Sequence, residues 1–443
     1  MWRIMLVFLI PMMLSNILQS ASSTFSSIFI GRMIGTDALA AVSAVFPIFF
    51  LLVSFMIGIA SGSTVLIGQA YGARDERRVK KIAGTVLGAT MYLALIVAVV
   101  GTLISPHLLA VLGTPQNIIA QSDAYAKTIF LTTPVIFPYL VYTTFMRGTG
   151  DSKTPFYFLI VSTALTVVLT PAFIAGWFGL PRLGVMSVAV AAFFAQGAAF
   201  AALLVTLDRW RHPLRFDMEM LRDMRIDWRL LWTVVRIGVP TGLQVVMVSF
   251  AELAVLSFVN RFGSSATAAY GAVNQVVSYV QFPAISIGIT ASIFGAQCIG
   301  ANRQDKLGGV VRSAVGLNYA IGIVLVAICY IFAWNILGWF IVDPHTLALA
   351  HALLFITLWA YVLFGNTAVL SGVMRSSGDV VAPTAISIFS ICGVEVPAAY
   401  ILMQHIGING VWMGYPIAFC TGLLLQFTYY SLVWKKKKHT RLV

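Results

Sequence analysis

"VYTTFMRGTGDSKTP" occupies Val141–Pro155, and "VLSGVMRSSGDVVAP" occupies Val369–Pro383, 228 positions later. Met-Arg, Gly-Asp and Pro fall at matching places in both. A second pair keeps the same offset: "GQAYGARDERRVKK" (Gly68–Lys81) against "AQCIGANRQDKLGG" (Ala296–Gly309), where Gln69 matches Gln297 and Gly72 matches Gly300. A third, "IGRMIGTDALAAVSAV" (Ile30–Val45) against "VNRFGSSATAAYGAV" (Val259–Val273), reads at 229. Three blocks at spacings of 228 or 229 mean that the chain repeats itself. The expected halves are 1–207 and 231–443, joined by a linker at 208–230.

Composition says what solvent the halves live in. The 443 residues are 59% hydrophobic and 10% charged, against roughly 25% charged in soluble domains. Apolar stretches of about 20 residues, enough to cross roughly 30 Å of hydrocarbon, recur throughout. Twelve spans are expected: 5–30, 40–68, 82–112, 118–146, 155–178, 184–207, 231–259, 266–297, 310–341, 346–374, 380–405 and 409–433. They are too long and too uniformly apolar for barrel strands. The fold class is therefore all-α integral membrane, with twelve transmembrane helices in two six-helix lobes. Matching loops are separated by an even number of spans, so the repeat is parallel. Such bundles are expected to enclose a cavity that can open to either side.

The net charge of +13 does not point to nucleic acid. With both termini inside, 24 Lys and Arg fall on the inner side and four on the outer: Arg32, Lys127, Arg182 and Arg261. That is the positive-inside pattern of a multi-pass cell-membrane protein. The tail "KKKKHTR" reads as an anchor near anionic lipid. In the linker, Leu221, Met224 and Trp228 stand at i, i+3, i+7, so an amphipathic segment on the inner surface is expected. Cys298, Cys329, Cys392 and Cys420 stand singly, with no disulfide or metal framework. No phosphate-binding GxxxxGK[ST] loop and no His–Asp or Ser–His grouping is present, so neither an ATPase nor another enzyme is expected.

Of fifteen acidic residues, thirteen lie in loops or at span ends. Glu252, in "VVMVSFAELAVLSFV" (Val245–Val259), and Glu395, in "ICGVEVPAAYI" (Ile391–Ile401), lie well inside spans, where no Lys or Arg does. A mid-span carboxylate costs roughly 2.5–3.5 kcal/mol even on lenient scales, and such residues mark ion or substrate paths. The bland alternative is a neutral acid bonded between helices. Polar stripes at helical spacing follow Ser15, Gln19, Ser22, Ser26; Thr163, Thr166, Thr170; and Tyr270, Asn274, Ser278, Gln281. Gln19, Ser26, Thr170, Asn274, Gln281 and Asn366 are the candidate cavity-lining residues. For the Ser and Thr stripes, interhelical hydrogen bonding is the stronger reading. The glycine pairs Gly58/Gly62, Gly84/Gly88 and Gly410/Gly414 read as helix contacts.

"IFIGRMIGTDALAAVSAVFP", "GQAYGARD", "MRGTGDSKTP" and "GAQCIGANRQDK", in this order within two six-span halves, resemble the multidrug and toxic compound extrusion (MATE) family. The resemblance covers essentially the whole chain. It implies export of organic, often cationic, compounds in exchange for protons or sodium, by alternating access of two lobes, with no cofactor beyond the coupling ion. The family's first-lobe Asp falls on Ser26, its helix-5 Asp on Thr170, and its helix-10 Asp on Phe364, with Asn366 the nearest polar residue. The helix-7 Glu of some branches falls on Glu252. Glu395 stands where a neutral or basic residue is expected. Coupling is accordingly expected to have moved to the second lobe, with H⁺ favoured over Na⁺. The expected partners are a small-molecule substrate and membrane lipid, with no nucleic acid, and the protein is expected to act as a monomer. The rivals are a flippase or exporter of lipid-linked or anionic metabolites, a major-facilitator transporter, and a transport-inactive scaffold. A flippase calls for basic residues mid-span, which are absent here.

Overall fold

The computed structural model describes residues 1–442, and the secondary structure among them is helical throughout. In chain order the helices are α1 (Trp2–Met33), α2 (Thr36–Gly72), α3 (Glu76–Val111), α4 (Ile119–Gly148), α5 (Lys153–Ala175), α6 (Ser187–Arg209) and a short α7 (Met218–Asp223). Then follow α8 (Trp228–Asn260), α9 (Ser264–Gly300), α10 (Leu307–Ile331), α11 (Ala333–Gly338), α12 (Pro344–Thr357), α13 (Ala360–Ser376), α14 (Val381–Ile388), α15 (Val396–Ile406) and α16 (Ile408–Leu432). A π-helical segment, Phe389–Glu395, joins α14 to α15. Eleven unbroken helices are long and apolar enough to cross a membrane, and α12 with α13 makes a twelfth span bent by 42°.

The repeat is written in the backbone. Left-handed or otherwise positive φ occurs at Gly35 and Gly263, Arg74 and Asn302, Gly150 and Gly378, and Gly179 and Gly407. Every pair is 228 apart, including the block that reads at 229 in the sequence alone. α2 and α9 start and stop at the same offset. These positions end helices, where a reversed twist lets the chain leave the helix axis. The acids of the loops do related work. Asp75, Asp217 and Asp343 each accept a hydrogen bond from the third amide of the helix that follows. Asp151 accepts from the Lys153 and Thr154 amides and from the Thr154 hydroxyl. Its repeat partner Asp379 has no Thr to receive. It accepts instead from Tyr429 at 2.8 Å and from Lys437 of the tail at 3.0 Å.

The compact units are Leu14–Gly238 and Met1–Met13 with Val239–Val443. The first helix of each half therefore changes unit along its length, α1 after Met13 and α8 after Gly238. Each division lies close to a proline, Pro11 or Pro240, where a missing amide hydrogen loosens the helix. Met5 and Leu9 are sealed into a core with Ile287, Val369 and Trp434. The start of α8 crosses α2 at two glycines: a Cβ on Gly62 would meet the Val234 carbonyl at 2.4 Å, and one on Gly238 the Gly58 carbonyl at 2.5 Å.

The linker is no single amphipathic helix. It breaks between Asp223 and Trp228, so Leu221, Met224 and Trp228 do not share a face, and Leu221 and Trp228 are exposed. What holds it is Leu214 and Met220, both fully buried, and the Tyr142 hydroxyl, which donates to the Leu214 carbonyl. Asp217 accepts from Lys80 on α3 at 2.6 Å and from Arg215 at 3.0 Å. Burial alone would push the Asp217 carboxyl up, but Lys80, the Met220 amide and Arg215 outweigh it and hold it at about 2. Gly84 and Gly88 of α3 make room for this segment, since a Cβ on Gly88 would strike the Met224 carbonyl at 2.3 Å.

The break in the tenth span has no proline behind it. Tyr330 of α10 donates to the Phe355 carbonyl at 3.1 Å and accepts from the Trp359 amide at 3.2 Å. It thus satisfies backbone groups freed on both sides of the bend. α4, the matching span, carries Pro134 and Pro138 and stays unbroken.

Two outcomes follow for the linker. Gly88→Val forces the Met224 backbone off α3 and is expected to cost roughly 1–3 kcal/mol. It should release the linker to trypsin in detergent-solubilised protein, and a cleavage rate equal to wild type would contradict the packing. A depressed acid stabilises above its unfolded pKa and stops doing so as pH falls through its folded value. Asp217 should therefore hold the linker down to about pH 4 and lose it towards about pH 2. Pepsin cleavage of the linker should accelerate across that window, and Asp217→Asn should be cleaved quickly already at its upper end.

Candidate functional site

Glu252 stands on α8 in a stripe with Val245, Ser249 and Leu256, all half-buried, and is itself exposed. The stripe runs between the buried row Ala251, Val255, Val259 and the exposed apolar row that contains Phe250 and Leu253. Helical spacing of about 100° per residue puts the carboxylate on the flank of the apolar face. It is not sealed between helices.

Glu395 ends the π-helical segment and is 3% exposed. A π turn widens the helix and shifts the direction of its side chains, and such turns gather at functional positions. Pro397, two residues on, cannot supply an amide hydrogen, so the widened turn is kept locally. The matching helix of the first half, α5, has no such turn, and position 167, where Glu395 would repeat, is Val167. Two contacts fix the segment. The Cys392 thiol donates to the Met247 carbonyl of α8 at 3.6 Å. On α16, Gly414 lets the backbone come so close that a Cβ there would lie 3.0 Å from the Glu395 carbonyl.

Tyr270 on α9, Tyr361 on α13 and Tyr415 on α16 complete the arrangement. Glu395 lies within electrostatic range of Glu252, and both act on Tyr270 and Tyr361. The Tyr270 and Tyr415 hydroxyls share a hydrogen bond of 2.9 Å, and Asn274 follows Tyr270 one turn later on α9. Tyr270 stacks on Trp412 with ring centres 5.9 Å apart and planes 8° from parallel. Phe419 packs edge-on to Tyr361 at 5.1 Å and touches Phe364 and Tyr415. Among the described residues neither carboxylate has a hydrogen-bond partner or a neighbouring Lys or Arg. Two acids thus lie within electrostatic range of Tyr270 and Tyr361, with no positively charged neighbour among the described residues. Chemically this arrangement takes up a proton or a cation, which ring faces also attract.

The remaining candidates are scattered. Gln281 is half-buried on α9 with Asn274. Asn366 is 4% exposed and accepts from the Asn318 amide at 3.0 Å, while Asn318 also donates to the Val362 carbonyl. That amide pair ties α10 to α13. Gln19, Ser26 and Thr170 belong to the other compact unit. Gln19 is exposed, the Ser26 hydroxyl donates to its own helix at Ser22, and Thr170 is fully buried with its hydroxyl unbonded. The repeat equivalents of Glu252, Tyr270, Tyr361, Glu395 and Tyr415 are Thr24, Val42, Thr133, Val167 and Ser187, so the first half has no such site. Sequence reasoning missed the three tyrosines as a group, although polar-tipped rings inside apolar spans were a usable signal.

Comparison with known proteins agrees with this architecture. The family model MatE matches twice, over residues 11–172 and 240–401. "Probable multidrug resistance protein YoeA" of Bacillus subtilis (strain 168) is 51% identical over 444 residues, covering 100% of this chain and 96% of that protein. YpnP of the same organism, described in the same words, is 25% identical, with 98% and 96% covered. Among solved structures, a mutant of the Vibrio cholerae MATE transporter VcmN superposes with a TM-score of 0.90 at 19% identity, covering 98% of each chain. A MOP superfamily transporter from Pyrococcus furiosus gives 0.88 at 20% identity, covering 99% of this chain and 97% of that one. With one family model fitting each half and a half-identical relative matching end to end, the chain belongs to the MatE family, the multidrug and toxic compound extrusion transporters, and is a transporter and not an enzyme.

Proposed function

We infer that this transporter exports organic cations from a bacterial cell in exchange for protons, with Glu252 and Glu395 carrying the exchange. The single observation behind this reading is the pair of mid-membrane carboxylates set among aromatic rings with no Lys or Arg beside them. Desolvation favours the protonated form of an acid, and an arriving cation favours the ionised form. Proton and cation therefore compete for one site. Such competition drives export when the site opens alternately to the two sides of the membrane and only its occupied forms reorient. Relatives named for multidrug resistance and multidrug export are consistent with an organic cargo. An anionic cargo would meet two carboxylates and is disfavoured by charge alone. The distribution of basic residues among the loops supports both termini lying on the cytoplasmic side.

The test is uptake of a cationic dye into inside-out vesicles, with pH and Na⁺ gradients imposed separately. Wild type should respond to the pH gradient. Glu252→Gln should stay folded and lose gradient-driven uptake by on the order of tenfold, the equivalent of roughly 1.4 kcal/mol. Uptake driven by Na⁺ alone would replace the proton in this scheme. Undiminished uptake by the variant would remove Glu252 from it.

A further inference from the structure

Glu252 alone would suffice to exchange one proton for one positive charge. The second acid therefore calls for its own account. Glu395 is 3% exposed, lies within electrostatic range of Glu252, and has no hydrogen-bond partner among the described residues. Tyr361, 8% exposed as a residue, lies within electrostatic range of both acids. The Trp412 indole N–H, fully buried in the ring stacked on Tyr270, is also without an acceptor. Buried polar groups are nearly always satisfied, so the unbonded Trp412 indole beside these groups marks a place completed by something else. Two acids could have been matched by one internal Lys or Arg. None is supplied, and the second acid is set on a π turn that the first half of the repeat lacks.

We propose that Glu252 and Glu395 form a two-charge site, walled by Tyr270, Tyr361, Tyr415 and Trp412, whose preferred cargo is an aromatic dication. The aromatic part lies against the ring wall. One positive charge pairs with the exposed carboxylate of Glu252 and the other with the buried carboxylate of Glu395. One dication exchanges for two protons, one on each acid, so no net charge crosses the membrane in a full cycle. A monocation leaves Glu395 to keep its proton and binds through Glu252 alone. This rests on the export reading above and adds to it the charge of the cargo.

The experiment compares two dyes that share the phenanthridinium ring, ethidium with one positive charge and propidium with two. Binding to purified wild type, Glu252→Gln and Glu395→Gln is followed by fluorescence at fixed pH and low salt. Wild type should bind propidium about tenfold more tightly than ethidium. Glu395→Gln should abolish that preference by lowering propidium affinity to the level of ethidium. Glu252→Gln should weaken both dyes. Equal affinity of wild type for the two dyes overturns the proposal and leaves the export reading standing. So does a propidium preference that survives Glu395→Gln, which would reflect bulk and not charge, or a variant that loses both dyes alike. The wild-type preference needs no variant, so a Glu395→Gln protein that fails to fold still leaves the proposal open to refutation. If wild type binds neither dye and no gradient drives their export, the export reading falls and this proposal falls with it.

Discussion

A carboxylate held inside the bilayer with no partner is the constraint on which the second half of this protein is organised. Water would solvate it and a lysine would neutralise it, but among the described residues Glu395 has neither a bonded neighbour nor a nearby cation. Everything around it maintains that condition. The π turn presents the side chain, Pro397 holds the turn, and Gly414 brings α16 close enough to bury it. The tyrosine and tryptophan rings then make a wall that is apolar in body and polar at the tips. Such a wall tolerates a neutral acid, an ionised acid with a cation, and the passage between the two.

The repeat explains why the site is built once and not twice. Helix ends, turns and positive-φ residues recur at one offset through both halves, so the scaffold was made in duplicate. The differences are local and concentrated in the second half: a π turn in place of plain helix after α14, and a span broken at Leu358–Trp359 and clamped by Tyr330. In the first half the corresponding helices run on, even through Pro134 and Pro138. The first unit instead holds the linker, through Lys80, Asp217 and the close approach at Gly88. One copy of the fold thus carries an acidic site and the other carries the strap that joins the copies.

Much of this was legible in the residues. Twelve apolar runs, the offset of 228 and the 24-to-4 division of basic residues required a helical membrane protein of two like halves, because lipid allows few other ways to satisfy a backbone. Glu252 and Glu395 stood out because a charge in hydrocarbon has a cost that sequence alone reveals. Composition also showed that no mid-span Lys or Arg could pair with them.

What the residues could not convey depends on the direction of side chains after packing. Asn366 and Asn274 look alike as amides in apolar helices, yet one is buried and spent on Asn318 while the other is half-buried, one turn from Tyr270. Leu221, Met224 and Trp228 have helical spacing, but the helix ends at Asp223, where capping and the grip of α3 outweigh the pattern. The π turn leaves no signature in composition, and a non-proline break depends on a tyrosine from another helix. By itself the sequence determined the solvent, the spans, the duplication and the two expensive charges, since these follow from the summed chemistry of each segment. Only the tertiary structure decided that the two acids come within electrostatic range of each other and of tyrosines on other helices, because that joins residues more than a hundred positions apart through helix packing.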